Sequence, residues 1–225
     1  MPINKKYKAT FHPYLSYHVY NRTNGNENLF HTDQDRLIFL QMVKSYLFPY
    51  FEVHCYCLLN NHFHLLITSK SFCELIDFLK TIPKERLTKT EEHFLKAPIE
   101  RKILMNRFVF RMQFRRLFLS YTKYFNRVHK RTGNLFNRGF KRIFVHDEIY
   151  FKKLVLYIHQ NPLKHDLTNN FQSFEWSSYQ DYANHRRFIN SKDLVLDLFN
   201  GINSFKQAHQ TIAEIDLYDE VLIDK

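Results

Sequence analysis

Two apolar runs separated by Asn60-Asn61 constrain the fold of this chain more than any other feature. The first run, FEVHCYCLL (51–59), and the second, HFHLLIT (62–68), are rich in β-branched and aromatic residues, which favour strands. Asparagine tolerates the positive φ angles that tight hairpin turns require. The pattern therefore predicts an antiparallel hairpin in which Cys57 faces His64 across the ladder.

The segments around this hairpin alternate between strand and helix patterns. YLSYHVYNRT (14–23) is typical of a strand, and NLFNRGFKRIFV (134–145) of a strand or an extended basic segment. Helices are predicted at 31–48, 71–82, 99–129 and 146–162. Thr32 or Asp33 is the predicted N-cap of the first helix and Asp147 that of the last, and Pro162 is expected just past the end of the last helix. This order predicts an α+β fold with a central antiparallel sheet in a split β-α-β (ferredoxin/RRM-like) arrangement, helices packed on one face and extra C-terminal helices.

The length of 225 residues fits one principal domain, predicted at 1–185, and a C-terminal helical extension at 186–225. Three cysteines without a Cys-x-x-Cys motif indicate a reducing compartment. The N-terminus lacks the apolar stretch of a signal peptide, and no run approaches 18 apolar residues. We therefore expect a cytoplasmic, nucleoid-associated protein with no membrane partner.

Positive charge is concentrated in one part of the chain. The chain has 33 lysines and arginines against 22 acidic residues, a net charge of +11. Residues 101–150 contain 13 basic residues against only Asp147 and Glu148, so this stretch alone carries +11. A solvated helix face is the ordinary explanation of a charge run, but this concentration favours a polyanionic partner. Nucleic acid is the first candidate and an acidic membrane surface the second.

Four side chains could form a reactive site. His62 and His64 point to the same face of their predicted strand, and Tyr157 and Asn161 share one face of a predicted helix. Two imidazoles and an amide oxygen could bind Mg²⁺ or Mn²⁺ and leave positions open for phosphate oxygens. The ion would polarise a phosphodiester that Tyr157 attacks at phosphorus.

Simpler interpretations remain open for each of these residues. Tyr157 could pack in the core, and Asn161 could be the C-cap of its helix ahead of Pro162. His62 and His64 could be ordinary histidines. With Cys55 and Cys57 they could also form a structural zinc site, although no second pair has zinc-finger spacing.

Five blocks of sequence, in order between residues 14 and 182, resemble the IS200-like, HUH-type transposase family and its REP-associated tyrosine transposase branch. The blocks are YHVYNRTNGNENLF, YCLLNNHFHLLI, YTKYFNRVHKRTGNLFNRGFKRIFV, YIHQNPLKHDL and FEWSSYQDY. The resemblance implies a small α+β domain that cleaves and rejoins single-stranded DNA beside a hairpin. It also implies a 5′-phosphotyrosine intermediate, a free 3′-hydroxyl and no need for ATP.

The resemblance assigns roles to particular residues. His62, His64 and Asn161 fall on the metal site, and Tyr157 falls on the nucleophile. The family usually has Pro-Asn before the first histidine, whereas this chain has Asn60-Asn61, which changes the turn but no ligand. The family includes both monomers and dimers, so the resemblance implies either a monomer or a homodimer.

The basic residues beside or within these blocks are the predicted contacts to DNA phosphates or to the hairpin. They are Arg22, Lys123, Arg127, Lys130, Arg131, Arg138, Lys141 and Arg142. Tyr121, Tyr124, Phe125 and Phe136 lie among them and could stack on unpaired bases or pack in the core. The leading hypothesis is a DNA-cleaving enzyme, and the alternative is a protein of the same origin that binds a DNA or RNA hairpin without cleaving it.

Overall fold

The computed structural model describes residues 8–25, 27–137, 139–184 and 188–211. It has four strands: β1 (Ser16–Arg22), β2 (Phe51–Leu58), β3 (His62–Ser69) and β4 (Lys141–Val145). The helices are α1 (Asp33–Leu47), α2 (Phe72–Thr81), α3 (Lys89–Lys96), α4 (Ile99–Val128), α5 (Glu148–Lys164), α6 (Tyr179–Ala183), α7 (Asp193–Leu198) and α8 (Ile202–Ala208). Short 3₁₀ turns lie at Lys84–Arg86 and Phe171–Ser173.

The four strands form one antiparallel sheet in the order β2-β3-β1-β4. Strand β3 lies between β1 and β2, which α1 connects, so this part is the predicted split β-α-β unit. The hairpin forms as predicted, and Cys57 pairs with His64. The predicted fold class, an α+β protein with a central antiparallel sheet and additional C-terminal helices, is confirmed.

Helices cover both faces of the sheet, whereas the sequence led us to expect them on one. On the first face, Phe63 of β3 packs against Phe39 of α1 and Phe118 of α4, with ring centroids 5.0 Å and 5.9 Å apart. On the second face, α5 packs its Tyr157 against His64 of β3. The reason is that β3 is buried on both sides, as its nearly continuous apolar sequence requires.

Helix α5 extends further than the sequence indicated. Pro162 lies inside the helix, which continues to Lys164 and is capped by His165. An internal proline removes one hydrogen bond and costs about 3 kcal/mol in an exposed helix. Here Pro162 is buried, and the His165 amide still donates to the Asn161 carbonyl at 3.2 Å, so packing maintains the last turn. Asn161 is therefore an internal helix residue and not the C-cap.

The predicted helix starts are correct. The Thr32 side chain accepts from the amide of Asp35 in a capping box at α1, and Asp147 accepts from the amide of Tyr150 at 2.6 Å to start α5. The C-terminal segment lies against α5, where His159 Nδ1 is 2.9 Å from His209 Nε2.

The predicted boundary between residues 185 and 186 lies outside the described residues, as do residues 212–225 of the predicted extension. None of the helices in the described ranges has the length and apolarity needed to span a membrane.

Candidate active site

The sheet aligns a row of side chains on the face that α5 covers. Tyr20 of β1 pairs with His64 of β3 on one side and with Lys141 of β4 on the other. Two residues further along β1, Arg22 pairs with His62. Directly paired residues point to the same face of a sheet, so these five side chains all lie on the face that α5 covers.

Helix α5 presents a matching stripe of three residues. Tyr157, Asn161 and His165 are spaced four apart and therefore lie on one side of the helix. The Tyr157 ring meets the His64 ring edge-on at 5.7 Å, and the His165 ring lies 4.7 Å from that of His62. Asn161 lies between these two residues on the same side of the helix, so we place it over the His62–His64 pair.

The position of each imidazole in this pair is set by a hydrogen bond from its Nδ1 side. His62 donates from Nδ1 to the side-chain oxygen of Asn61 at 2.6 Å, which leaves the lone pair on Nε2. His64 Nδ1 lies 2.9 Å from Nε2 of His18, a neighbouring β1 residue on the same face. When His64 donates in this bond, its lone pair is also on Nε2. Such an outer hydrogen bond is how metal-binding histidines are usually oriented.

Three buried atoms at the centre of the site lack hydrogen-bond partners among the described residues. They are His64 Nε2 and both polar atoms of the Asn161 side-chain amide, and both residues are fully buried. An unpaired buried polar atom costs about 1–3 kcal/mol. A bound ligand that accepts electron pairs would remove this cost, because it could interact with both the His64 Nε2 lone pair and the Asn161 amide oxygen.

Burial also determines the charge of these histidines. It lowers the pKa of His64 well below its ordinary value, and the positive charges that His62, His18 and His165 would carry lower it further. Burial lowers the pKa of His18 to about 3. The imidazoles of His64 and His18 are therefore neutral at pH 7. For His64, this is the form that can donate an electron pair to a metal ion.

The donor set fits a divalent cation bound by His62, His64 and Asn161. It contains two imidazole nitrogens and one amide oxygen, which suit Mn²⁺ or Mg²⁺ with water or phosphate oxygens completing the shell. Within the described ranges, no group of three or more histidine, cysteine, aspartate or glutamate side chains could hold a metal ion. The zinc alternative is not supported, because Cys55, Cys57, His62 and His64 would form such a group.

The site is closed to large ligands in this structure. Tyr157, His64 and Asn161 are fully buried, and His62 is 8% exposed. The ammonium group of Lys164, an exposed residue, lies 4.8 Å from the centre of the Tyr157 ring. A large ligand can therefore reach the Tyr157 hydroxyl only if side chains around it move.

The predicted DNA contacts are distributed over several surfaces. Arg22 and Lys141 lie on the histidine face, and Lys141 Nζ is 5.3 Å from the centre of the Tyr20 ring. Lys123, Arg127 and Lys130 are exposed at the C-terminal end of α4. Arg138 lies outside the described residues.

Two of the predicted contacts are engaged within the protein. Arg131 forms an ion pair with Glu27 and donates to the Asn134 carbonyl at 2.9 Å. Arg142 pairs with Val19 and so lies on the face away from His64, where its guanidinium packs over the Phe11 and Phe140 rings.

The predicted stacking residues are mostly core residues. Tyr121 and Phe125 are fully buried and Phe136 is 8% exposed. Tyr124 is partly buried, and its hydroxyl donates to Asp35 at 3.2 Å. These aromatic residues therefore pack in the core, which is one of the two interpretations that the sequence left open.

Two site residues, His18 and His165, were not predicted from the sequence. Strand alternation places His18 on the face of Tyr20 and Arg22, but its contact with His64 depends on the register between β1 and β3. His165 follows Asn161 by four residues, but the expected helix end at Pro162 removed it from the helical stripe. The spacing of eight residues between Tyr157 and His165 was the available signal.

Comparisons with known proteins do not identify the family of this chain. No protein-family model matches this sequence, and no curated protein matches it. One solved structure, described as "Structure of the REP associates tyrosine transposase bound to a REP hairpin", is similar with a TM-score of 0.46. It is 14% identical, and the match covers 83% of this chain and 90% of that chain. A likeness of this size establishes neither the family nor the function.

Proposed function

We propose that this protein is a metal-dependent endonuclease and strand transferase, a transposase, that acts on single-stranded DNA next to a hairpin. The observation that carries the proposal is the convergence of Tyr157 and Asn161 of α5 on the His62–His64 pair of β3. A phenol, an amide oxygen and two imidazoles are the groups that a tyrosine-dependent phosphodiester transfer requires.

His62, His64 and Asn161 would hold the divalent cation, Mg²⁺ or Mn²⁺. When bound, the cation supplies Lewis-acid polarisation of the scissile phosphate. His18 and Asn61 act through their hydrogen bonds, which hold the two imidazoles in the orientation that presents Nε2. The buried surroundings of the pair keep water from competing for the phosphate.

Tyr157 carries out the covalent step. Its hydroxyl oxygen forms a bond to phosphorus as the bond from phosphorus to the 3′-oxygen breaks. The phenolic proton ends on the departing 3′-hydroxyl, and the 5′-phosphate remains on Tyr157. A 3′-hydroxyl from another strand then reverses the exchange. One phosphodiester is replaced by another at each stage, so no ATP is needed. The positive charge of Lys164 next to the ring stabilises the phenolate as it forms.

The strand is held by basic residues beside the histidines and at the C-terminal end of α4. Arg22 and Lys141 flank the histidines and contact phosphates next to the cleaved bond. Lys123, Arg127 and Lys130 contact phosphates further along the strand or on the hairpin, as Arg138 is expected to do from its sequence block. Because Tyr157 reaches His64 within one chain, a monomer is sufficient. The substrate is chromosomal DNA, so the proposed location is the nucleoid.

One observation favours a second function. Tyr157 is fully buried, as expected of a tyrosine that only packs against the sheet. The alternative is therefore a protein descended from such an enzyme that binds a DNA or RNA hairpin and does not cleave it. In that case Tyr157 and the histidines serve stability alone.

Covalent capture of DNA separates the two functions. We would incubate the protein and Mn²⁺ with single-stranded hairpin oligonucleotides from the DNA flanking its own gene, and run denaturing gels. A label at the 3′ end of the DNA should remain with the protein, and a label at the 5′ end should leave with the free 3′-hydroxyl fragment. Tyr157→Phe should abolish the adduct. Tyr121→Phe, at an equally buried tyrosine, should keep it.

Binding without any adduct in the wild type would support the non-cleaving alternative. An adduct that persists in Tyr157→Phe would refute the assignment of the nucleophile. Both results are informative only for a folded variant, so circular dichroism of each protein accompanies the gels.

A further inference from the structure

A row of arginines lies on the outer side of α4, away from the candidate active site. Arg107, Arg111 and Arg115 are spaced four residues apart, so they form one stripe along the helix, and all three are exposed. Helix α4 packs on the face of the sheet opposite His64. None of these three arginines belongs to the site described above.

Three cavities adjoin along this stripe. One of about 410 Å³ lies between α3 and α4, one of about 280 Å³ lies beside residues 134–140, and one of about 220 Å³ lies next to β4. Arg111 lines all three, Arg115 lines the first two, and Arg107 lines the third. The three cavities adjoin at these residues, and together they are here called the α4 groove.

The positive charge of the α4 groove is not neutralised. Among the described residues, none of its three α4 arginines has an acidic partner within ion-pair distance, whereas their neighbour Arg116 lies 3.7 Å from Glu91. Arg142 lines the smallest cavity together with Arg111. Burial lowers the pKa of Arg142, and the positive charge of Arg111 lowers it further. Four like charges around one groove favour the binding of an anion.

We propose that the α4 groove binds the sugar-phosphate backbone of a single DNA strand. Successive arginines of the stripe are about 6 Å apart along the helix axis, and Arg107 and Arg115 are about 12 Å apart. In a duplex each strand carries one phosphate per about 3.4 Å of axis, and an extended single strand spaces its phosphates further apart, so a stripe of this length can contact up to about four phosphates. The choice of DNA as the polyanion rests on the proposed function.

A single strand fits better than a duplex because an aromatic ring lies within the stripe. Phe108 is 48% exposed and lines two of the three cavities. Exposed aromatic rings beside a row of basic residues stack on unpaired bases, which a duplex does not offer. Arg107 already lies over this ring, 4.9 Å from its centre.

Strand β4 connects the α4 groove to the candidate active site. It is an edge strand, and its side chains alternate between the two faces of the sheet. Arg142 therefore faces the groove, while the adjacent Lys141 faces Tyr20 and the histidines. Lys8 and Ala9 pair with the outer edge of β4 at Arg142, so a DNA backbone leaving the groove would pass outside these two residues to reach the Tyr157 side.

Salt-dependent binding tests the α4 groove separately from cleavage. The probe is labelled oligothymidylate, which forms no hairpin, and its affinity is measured by fluorescence anisotropy over a range of NaCl concentrations without metal. The test variant carries Arg107→Gln, Arg111→Gln and Arg115→Gln. The control carries Lys44→Gln, Lys80→Gln and Lys206→Gln, an equal charge change at exposed positions on three other helices.

Loss of three phosphate contacts should reduce the magnitude of the slope of log K against log salt by about 2, while the control keeps most of its slope. An unchanged slope in the test variant, or an equal change in both variants, would overturn the proposal. Loss of binding to phosphatidylserine vesicles with DNA binding unchanged would instead assign the groove to a membrane.

The result for the α4 groove does not depend on the covalent chemistry. If the test variant loses its salt-dependent binding but the wild type forms no phosphotyrosine adduct, the groove stands and the proposed enzyme fails. If the wild type forms the adduct and the test variant keeps full affinity for oligothymidylate, the enzyme stands and the groove fails.

Discussion

Replacement of His18 tests whether the histidine cluster is built to hold a metal ion. His18 is fully buried and its Nε2 lies 2.9 Å from His64 Nδ1, so it orients a proposed ligand without being one. His18→Leu removes that hydrogen bond. Loss of such an outer partner lowers metal affinity about 10–100-fold, which corresponds to about 1.4–2.8 kcal/mol of binding free energy.

The same substitution has a cost in stability that must be separated from the metal effect. Nδ1 of His64 would be left buried without a partner, which lowers the free energy of unfolding by about 1–3 kcal/mol. His54→Leu is the matched control. His54 is equally buried, lies on the same face of the sheet and bonds Thr68 at 2.7 Å. It should lose comparable stability but no metal affinity.

Isothermal titration of Mn²⁺ into DNA-free protein provides the measurement, with urea unfolding for stability. His18→Gln should recover part of the affinity, because a glutamine amide can occupy the position of the imidazole Nε2 and accept from His64. Wild-type Mn²⁺ affinity in folded His18→Leu would refute the positioning role. An equal loss of affinity in His54→Leu would show that the effect is one of general stability.

Three further predictions follow from individual residues. Asn161→Leu should abolish Mn²⁺ binding yet raise the free energy of unfolding by about 1–3 kcal/mol, because it removes an unpaired buried amide; lower stability in urea would contradict this. Burial alone would raise the pKa of Glu91, but hydrogen bonds from Tyr50 and other groups outweigh it and lower that pKa. The stability that this lowered pKa contributes is present above the carboxyl's unfolded pKa and is lost as pH falls through the lower folded pKa. In Glu91→Gln, the free energy of unfolding should therefore fall less steeply with decreasing pH below about pH 4. Arg131→Gln and Glu27→Gln should show a coupling of about 0.5–3 kcal/mol in a double-mutant cycle, and additive effects would contradict a structural ion pair.

The features that local sequence determines were predictable. Alternating apolar residues and the Asn60-Asn61 turn were sufficient for the hairpin and for the common orientation of His62 and His64. Capping residues such as Thr32 and Asp147 marked the starts of helices. These signals act between residues close in sequence, where the physics of turns and caps is nearly independent of the rest of the fold.

The features that depend on tertiary packing were not predictable from the sequence. Local rules end α5 at Pro162, but burial of the proline keeps the helix intact for one more turn, and that turn brings His165 to His62. The contact between His18 and His64 requires the register of two strands more than 40 residues apart in the sequence. Sequence alternation on β4 likewise could not show that Arg142 faces α4 and not the histidines.

The most direct test of the central claim is to identify the residue that becomes linked to DNA. Intact-protein mass spectrometry after incubation with Mn²⁺ and a flanking hairpin oligonucleotide would detect the adduct, and peptide mapping would locate it. The chain has 14 tyrosines, so the position is informative. The expected result is a single 5′-phosphate linkage on Tyr157. A linkage on any other tyrosine, or no adduct with any flanking strand that the protein binds, would contradict it.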